Sequence, residues 1–188
     1  MSALSVLNGN VLNHYTSELR KKKDSYTFMI MNKKKSEIAA IQRMVIEESI
    51  LIHAEMDKVW ETFTNLTCWN EWNTVMSDVC SNEKCLSNGS EISCCFRSFL
   101  FSVSANIRVE EVVPYKRIVW SAKKKGFFAR NEFSFQNYSK GVTVTSREAF
   151  TGMLVSVFGF LLPKKRMKTL IATFLSDLKT ASENQFIR

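Results

Sequence analysis

The chain has 188 residues, enough for one domain with a real core and short for two. Hydrophobic residues at 45% and charged residues at 23% are ordinary for a globular protein, and the longest near-apolar run, Met153–Leu162, is only about half of the ~20 residues a bilayer-spanning helix needs. The net charge of +8 is uneven: residues 1–43 hold eight Lys/Arg against three acids, leaving 18 against 15 for the rest, so the body lacks the strong basic face of a nucleic-acid-binding domain.

Residues 1–43 read as a basic, flexible N-terminal tail. Leu4, Leu7, Val11 and Tyr15 fall at helical spacing, but the runs Arg20–Lys23 and Lys33–Lys35 flank a single apolar patch, Phe28–Met31. Such a segment buries too little surface to offset its ordering entropy. Met31, followed by Asn32-Lys33-Lys34-Lys35, offers a second translation start.

The body is expected over 44–184. Met44–Ile52 is short and rich in β-branched residues, which predicts a strand. Glu55–Asn65 places Met56, Val59, Trp60 and Phe63 at i, i+3, i+4 and i+7, an amphipathic helix with acids in its first turn. Thr67–Asn73 holds Trp69 and Trp72 and predicts a second short helix or a tight turn.

From Thr74 to Thr151 the period becomes two. Over Phe99–Glu110, Phe101, Val103, Ala105, Ile107 and Val109 share one face, and Val112-Val113-Pro114-Tyr115 is expected to break the strand. Lys116–Ala122 turns Ile118 and Trp120 inward, and Lys123-Lys124-Lys125 reads as a solvated turn. Phe127–Phe135 puts Phe127, Ala129, Asn131, Phe133 and Phe135 together; Val142–Phe150 does the same for Val142, Val144, Ser146, Glu148 and Phe150. Successive strands at this spacing form an antiparallel meander. A long C-terminal helix follows, with Met167, Leu170, Ile171, Phe174 and Leu178 on its packed face and Pro163 interrupting it near Leu162.

The five cysteines are odd in number and no basic, apolar export signal opens the chain, so a reducing, cytoplasmic compartment with free thiols is expected. Cys80-x4-Cys85 and Cys94-Cys95 do not have zinc-ligand spacing, and the simplest role of the cysteines is to fill space in or near a core. With only His14 and His53, a histidine-centred metal site or triad has almost no material, and His53 is expected on the surface or in a loop; no metal and no cofactor are expected. There is no G-x-S-x-G, P-loop, G-x-G-x-x-G or H-E-x-x-H motif.

Several local patterns, in this order, resemble the START-like superfamily, and within it the SRPBCC or polyketide cyclase/dehydratase-like group. They are Ile52-His53-Ala54 with Val59-Trp60, then Trp69-Asn70-Glu71-Trp72-Asn73, then Val112-Val113-Pro114 with Ile118-Val119-Trp120, then Glu148-x-Phe150-x-Gly152. The resemblance implies an α+β helix-grip fold, START/Bet v 1-like: a curved antiparallel sheet wrapped around a long C-terminal helix, with two short helices after the first strand and a cavity between sheet and helix. In relatives of this type the strand opening with Gly126-Phe127-Phe128 often reads Gly-x-His-x-Phe. Asn131 stands where that histidine would be, and an amide does not titrate.

By alternation Glu148 faces the cavity. Since an ionised carboxylate is expensive to bury alone, it either forms an ion pair, with Arg147, Arg97 or another cation, or has a raised pKa and serves as a polar anchor or proton carrier. Asn131 is the second polar group on that face, a ligand contact or a partner of the backbone. One of Glu47 and Glu48 must also face inward. Phe101, Val103, Phe133, Phe135, Phe150, Phe158 and Phe174 are expected to line or plug the cavity; Trp60, Trp69, Trp72 and Trp120 read as core before ligand platform, with Trp120 also a candidate ligand contact.

Three functions fit. The first is binding of a small hydrophobic molecule, such as a lipid, isoprenoid or polyketide-like compound, oriented by Glu148 and Asn131. The second is a cyclase/dehydratase-like enzyme in which Glu148 moves a proton. The third is weak docking to anionic membranes through Met153–Leu162 and Lys164–Lys168.

Overall fold

The computed structural model describes residues 25–27, 29, 44–97, 102–124, 126–152 and 164–184. Chain contacts separate Met1–Ile41 from Gln42–Arg188, and every element below belongs to the second unit. Of the tail only residues 25–27 and 29 are described, helical and exposed; the expectations for the rest of it, for Phe101, for Phe158 and for Met153–Leu162 lie outside the described residues.

Seven strands form one antiparallel sheet: β1 (Met44–Ile52), β2 (Met76–Ser81), β3 (Glu91–Arg97), β4 (Ser102–Val113), β5 (Arg117–Lys124), β6 (Phe127–Tyr138) and β7 (Gly141–Thr151). Their order is β1-β7-β6-β5-β4-β3-β2, so each strand from β2 to β7 lies beside the next and β1 returns to the outer edge of β7. The excursion between β1 and β2 carries α1 (Met56–Thr64), one 3-10 turn (Leu66–Cys68) and α2 (Trp69–Trp72). A final helix, α3 (Lys164–Glu183), buries Ile171, Phe174, Leu175, Leu178 and Ala181. This is the helix-grip arrangement that the resemblance implies, and its meander and terminal helix are those that the alternation and the helix spacing predict.

The break expected over Val112–Tyr115 holds only for its second half, since β4 runs on through Val113. A bulge between Val109 and Glu111 shifts the register, and Val112 and Val113 go on pairing with Ile118 and Arg117. An extra residue in one strand sharpens its bend without ending it. The turn falls over residues 114–116, where Tyr115 takes φ 61°. A second bulge, between Ser77 and Cys80, bends β2 with Asp78 at φ 53°.

Gly141, at the tight β6–β7 turn, has φ +133°, and a Cβ there would lie 2.1 Å from the Ile52 carbonyl oxygen. Only glycine lets this turn close over the end of β1. Polar contacts hold the C-terminal half of α3. Asp177 accepts from the Thr74 amide at 2.9 Å and from its hydroxyl at 2.7 Å. Glu183 accepts from the His53 amide at 2.6 Å, and Lys179 donates to the Leu51 carbonyl at 2.6 Å. His53 is exposed, as expected, and its Nδ1 donates to the Lys140 carbonyl at 2.9 Å.

The interior has two unlike halves. One is packed with aromatic rings: Phe63, Trp69, Trp120, Phe133 and Phe174, with centroids 4.6–6.4 Å apart. The indole of Trp69 donates to the Phe63 carbonyl at 2.8 Å, so its one polar atom is satisfied where it is fully buried. In the other half the concave face of the sheet carries Ala105, Ala122 and Ala129, and side chains this short do not fill the space beneath α3.

The cysteines divide. Cys94 is buried, and burial pushes its thiol up to about 12. Cys80 and Cys85 are exposed, contrary to the expected packing role, because one lies on the outer face of β2 and the other in the β2–β3 connection. All five are free thiols.

Candidate functional site

Cross-strand register assembles the site. Trp120 on β5 faces Asn131 on β6, and Asn131 faces Glu148 on β7. Two residues along, Ala122 faces Ala129 and Ala129 faces Phe150. At the end of β5, Lys124 faces Phe127. Three rows thus follow each other along the concave face: a polar row, an apolar row built on alanines, and a rim.

Above these rows lies a cavity of about 300 Å³, bordered by Phe96, Val103, Ile107, Trp120, Ala122, Phe127, Ala129, Glu148, Phe150, Met167 and Leu170, with Ser104, Asn106, Lys123 and Lys124 as its other polar neighbours. A smaller space of about 60 Å³ adjoins it toward the aromatic half, next to Asn131, Phe133, Ser146, Ile171 and Phe174. Trp120, Phe96, Met167, Leu170 and Glu148 border both.

Glu148 is the chemical centre of this geometry. Its side chain is partly open and borders both cavities, and burial pushes its carboxyl up to about 8. It forms no ion pair or hydrogen bond among the described residues. The alternative of an ion pair with Arg147 or Arg97 fails on parity: Arg147 points outward to Glu47 at 3.4 Å, and Arg97 is exposed at the end of β3. Near neutral pH the site therefore presents a protonated carboxyl able to donate a hydrogen bond or release a proton.

Asn131 is buried and accepts from the Ser146 hydroxyl at 3.0 Å. That bond fixes its amide plane, and its NH2 group makes no hydrogen bond among the described residues. Of the two glutamates on β1, Glu48 is the inward one and meets Lys168 at 3.1 Å, while Glu47 stays exposed.

The structure brings Val103, Trp120, Glu148 and Phe150 to the larger cavity and Asn131, Phe133 and Phe174 to the smaller. Phe135 is on the expected face but borders neither: it packs against Trp60 at 5.1 Å and Phe63 at 5.3 Å, deep in the filled half. Trp120 belongs to the core cluster and to both cavity walls at once.

Sequence reasoning missed Phe96, Met167, Leu170, Ser146 and Lys124 as site residues. Parity along β5, from Trp120 through Ala122 to Lys124, was the available signal for the lysine. The role of Ser146 depends on register across β6 and β7, which alternation alone does not supply.

A family model described as "Polyketide cyclase / dehydrase and lipid transport" matches residues 43–183, three quarters of the chain and every element above. The chain belongs to that family. No curated protein matches it by sequence. Among solved structures, this family member is similar to a Thermus thermophilus protein at TM-score 0.63 and 14% identity, covering 74% of this chain and 97% of that one. It is similar to norcoclaurine synthase from Thalictrum flavum, solved with dopamine and hydroxybenzaldehyde, at TM-score 0.59 and 9% identity over 73% and 85% of the two chains. The di-domain ARO/CYC StfQ of the steffimycin biosynthetic pathway has TM-score 0.63 and 11% identity; the match covers 79% of this chain and 52% of StfQ, about half its length. At these identities the likeness is one of fold. No helix among the described residues is long and apolar enough to cross a membrane.

Proposed function

We propose that this family member binds a small hydrophobic molecule in the cavity of about 300 Å³ and the adjoining space of about 60 Å³, with Glu148 and Asn131 orienting it. The observation that carries the reading is an apolar space, kept open by Ala105, Ala122 and Ala129, with a single unpaired carboxyl bordering it among the described residues. Apolar burial supplies the affinity at about 25 cal/mol per Å². A protonated Glu148 and the NH2 group of Asn131 are donors, so a carbonyl or ether oxygen of the ligand suits them better than a hydroxyl alone. The family description supports the same reading.

The test is organic extraction of the purified protein followed by mass spectrometry, together with titration by pyrene monitored through tryptophan emission, to which Trp120 at the cavity wall contributes. A co-purifying hydrophobic compound, or saturable quenching by pyrene, supports the proposal. Absence of both overturns it.

A second reading rests on the pKa of Glu148. A carboxyl poised at about 8 exchanges protons at neutral pH, which suits a cyclase/dehydratase-like proton transfer on a bound carbonyl compound. Under that reading Glu148→Gln abolishes turnover and keeps ligand binding; under the first it changes binding alone.

A further inference from the structure

The larger cavity is graded along its length. On β5 the inward residues run from Trp120, 6% exposed, through half-buried Ala122 to exposed Lys124. The register puts Glu148 level with Trp120, through Asn131, and puts Phe127 level with Lys124. The four-residue step from Trp120 to Lys124 spans about 13 Å at ~3.3 Å per residue. The walls between are apolar: Phe96, Val103, Phe127, Phe150 and Leu170.

The rim carries an excess of positive charge. Lys123 and Lys124 border the cavity opening, and neither forms an ion pair among the described residues; the Lys124 ammonium has only the Ser104 carbonyl, at 3.4 Å. Four other cations of the sheet and helix do meet acids: Arg117 with Glu111, Arg130 with Glu110, Arg147 with Glu47, Lys168 with Glu48. Glu148 is the one acid bordering the cavity among the described residues, and it lies at the far end from Lys124.

From this gradient, and resting on the binding function proposed above, we infer that the ligand is a single-chain amphiphile whose anionic head sits on Lys124 at the rim while its apolar chain runs inward toward Trp120 and Glu148. The volume is at the small end of ligand sites, equal to about ten waters, and does not admit a two-chain lipid. An extended chain advances about 1.3 Å per carbon for ~1.5 Å bonds, so about ten carbons bridge the rim and the polar row. The inward end meets hydrogen-bond donors, so a chain carrying an oxygen there gains a second anchor. The shared chemistry of the head is a carboxylate or a phosphate monoester, both of which an ammonium recognises as a point charge.

The experiment compares decanoate, decyl phosphate, 1-decanol and decylamine by calorimetric titration of the full chain at pH 7 and low salt, for wild type, Lys124→Gln and the Lys123→Gln/Lys124→Gln double variant. Both lysines are exposed and without an acidic partner among the described residues, so their loss leaves the fold intact. The expected result is that decanoate or decyl phosphate binds about fivefold more tightly than decanol, and that Lys124→Gln removes this advantage by weakening the anions more than decanol. Whichever anion is tighter assigns the head as carboxylate or phosphate. Equal affinity of the acid and the alcohol, or an advantage that survives the double variant, overturns the anionic head while leaving the hydrophobic cavity in place. Tighter binding of decylamine overturns it in favour of a cation paired with Glu148. Failure of all four to bind removes the cavity function itself and the inference with it.

Discussion

Replacing Glu148 by glutamine should make the protein more stable, and by an amount that grows with pH. The carboxyl ionises at about 8 in the folded chain and at 4.5 in an ordinary setting, and burial is the cause. Between those values the folded protein holds a proton that the unfolded chain has released. Raising the pH therefore favours unfolding, at about 1.4 kcal/mol per pH unit, and the accumulated loss across the interval is on the order of 5 kcal/mol. Glutamine keeps the shape and stays neutral, so it escapes this loss. Urea denaturation of wild type and Glu148→Gln at pH 5, 6, 7 and 8 measures the effect. The difference between the two should be small at pH 5, rise in favour of the variant through pH 8, and then level off. Taking the difference cancels the groups common to both proteins. A difference that stays flat from pH 5 to 8 would refute the reasoning, because Glu148 would then titrate alike in the folded and unfolded chains and could not be secluded from water.

Two further outcomes follow from geometry. Ala129→Leu adds three carbons to the cavity floor; at about 0.8 kcal/mol each, less up to ~1 kcal/mol of side-chain entropy, it should hold or raise the melting temperature while weakening 1-decanol at least about tenfold. Unchanged affinity in a stably folded Ala129→Leu protein would place the ligand elsewhere. Gly141→Ala and Gly89→Ala both put a side chain at positive φ, but only the first drives a Cβ into the Ile52 carbonyl, the second having nothing within 4 Å. Thermal melts should show Gly141→Ala losing about 2 kcal/mol or more and Gly89→Ala distinctly less, and equal losses would mean that the β6–β7 turn moves freely away from β1.

How far the sequence was legible depends on which physical signal each feature uses. Period-two alternation exposed the inward faces of β6 and β7, and with them the shared face of Asn131, Ser146 and Glu148. Helical spacing exposed the buried side of α3. Alternation reports a face and not a depth, which is why Phe133 and Phe135 looked equivalent although one borders the smaller cavity and the other lies in the aromatic core. The bulge after Val109 was hidden because an extra residue leaves no compositional mark when both neighbours are glutamates. Lys124 read as part of a solvated lysine run, since its place at the cavity rim depends on where β5 ends.

The alanine row has one more implication. The void exists because three side chains stop short, and the backbone around it is regular antiparallel sheet. Resizing it takes a point mutation at Ala105, Ala122 or Ala129, with the strands, the aromatic half and the anchored end of α3 undisturbed. The size of this space is thus separable from the protein's foldability, and a handful of substitutions at these three sites would turn one scaffold into a graded set of cavities.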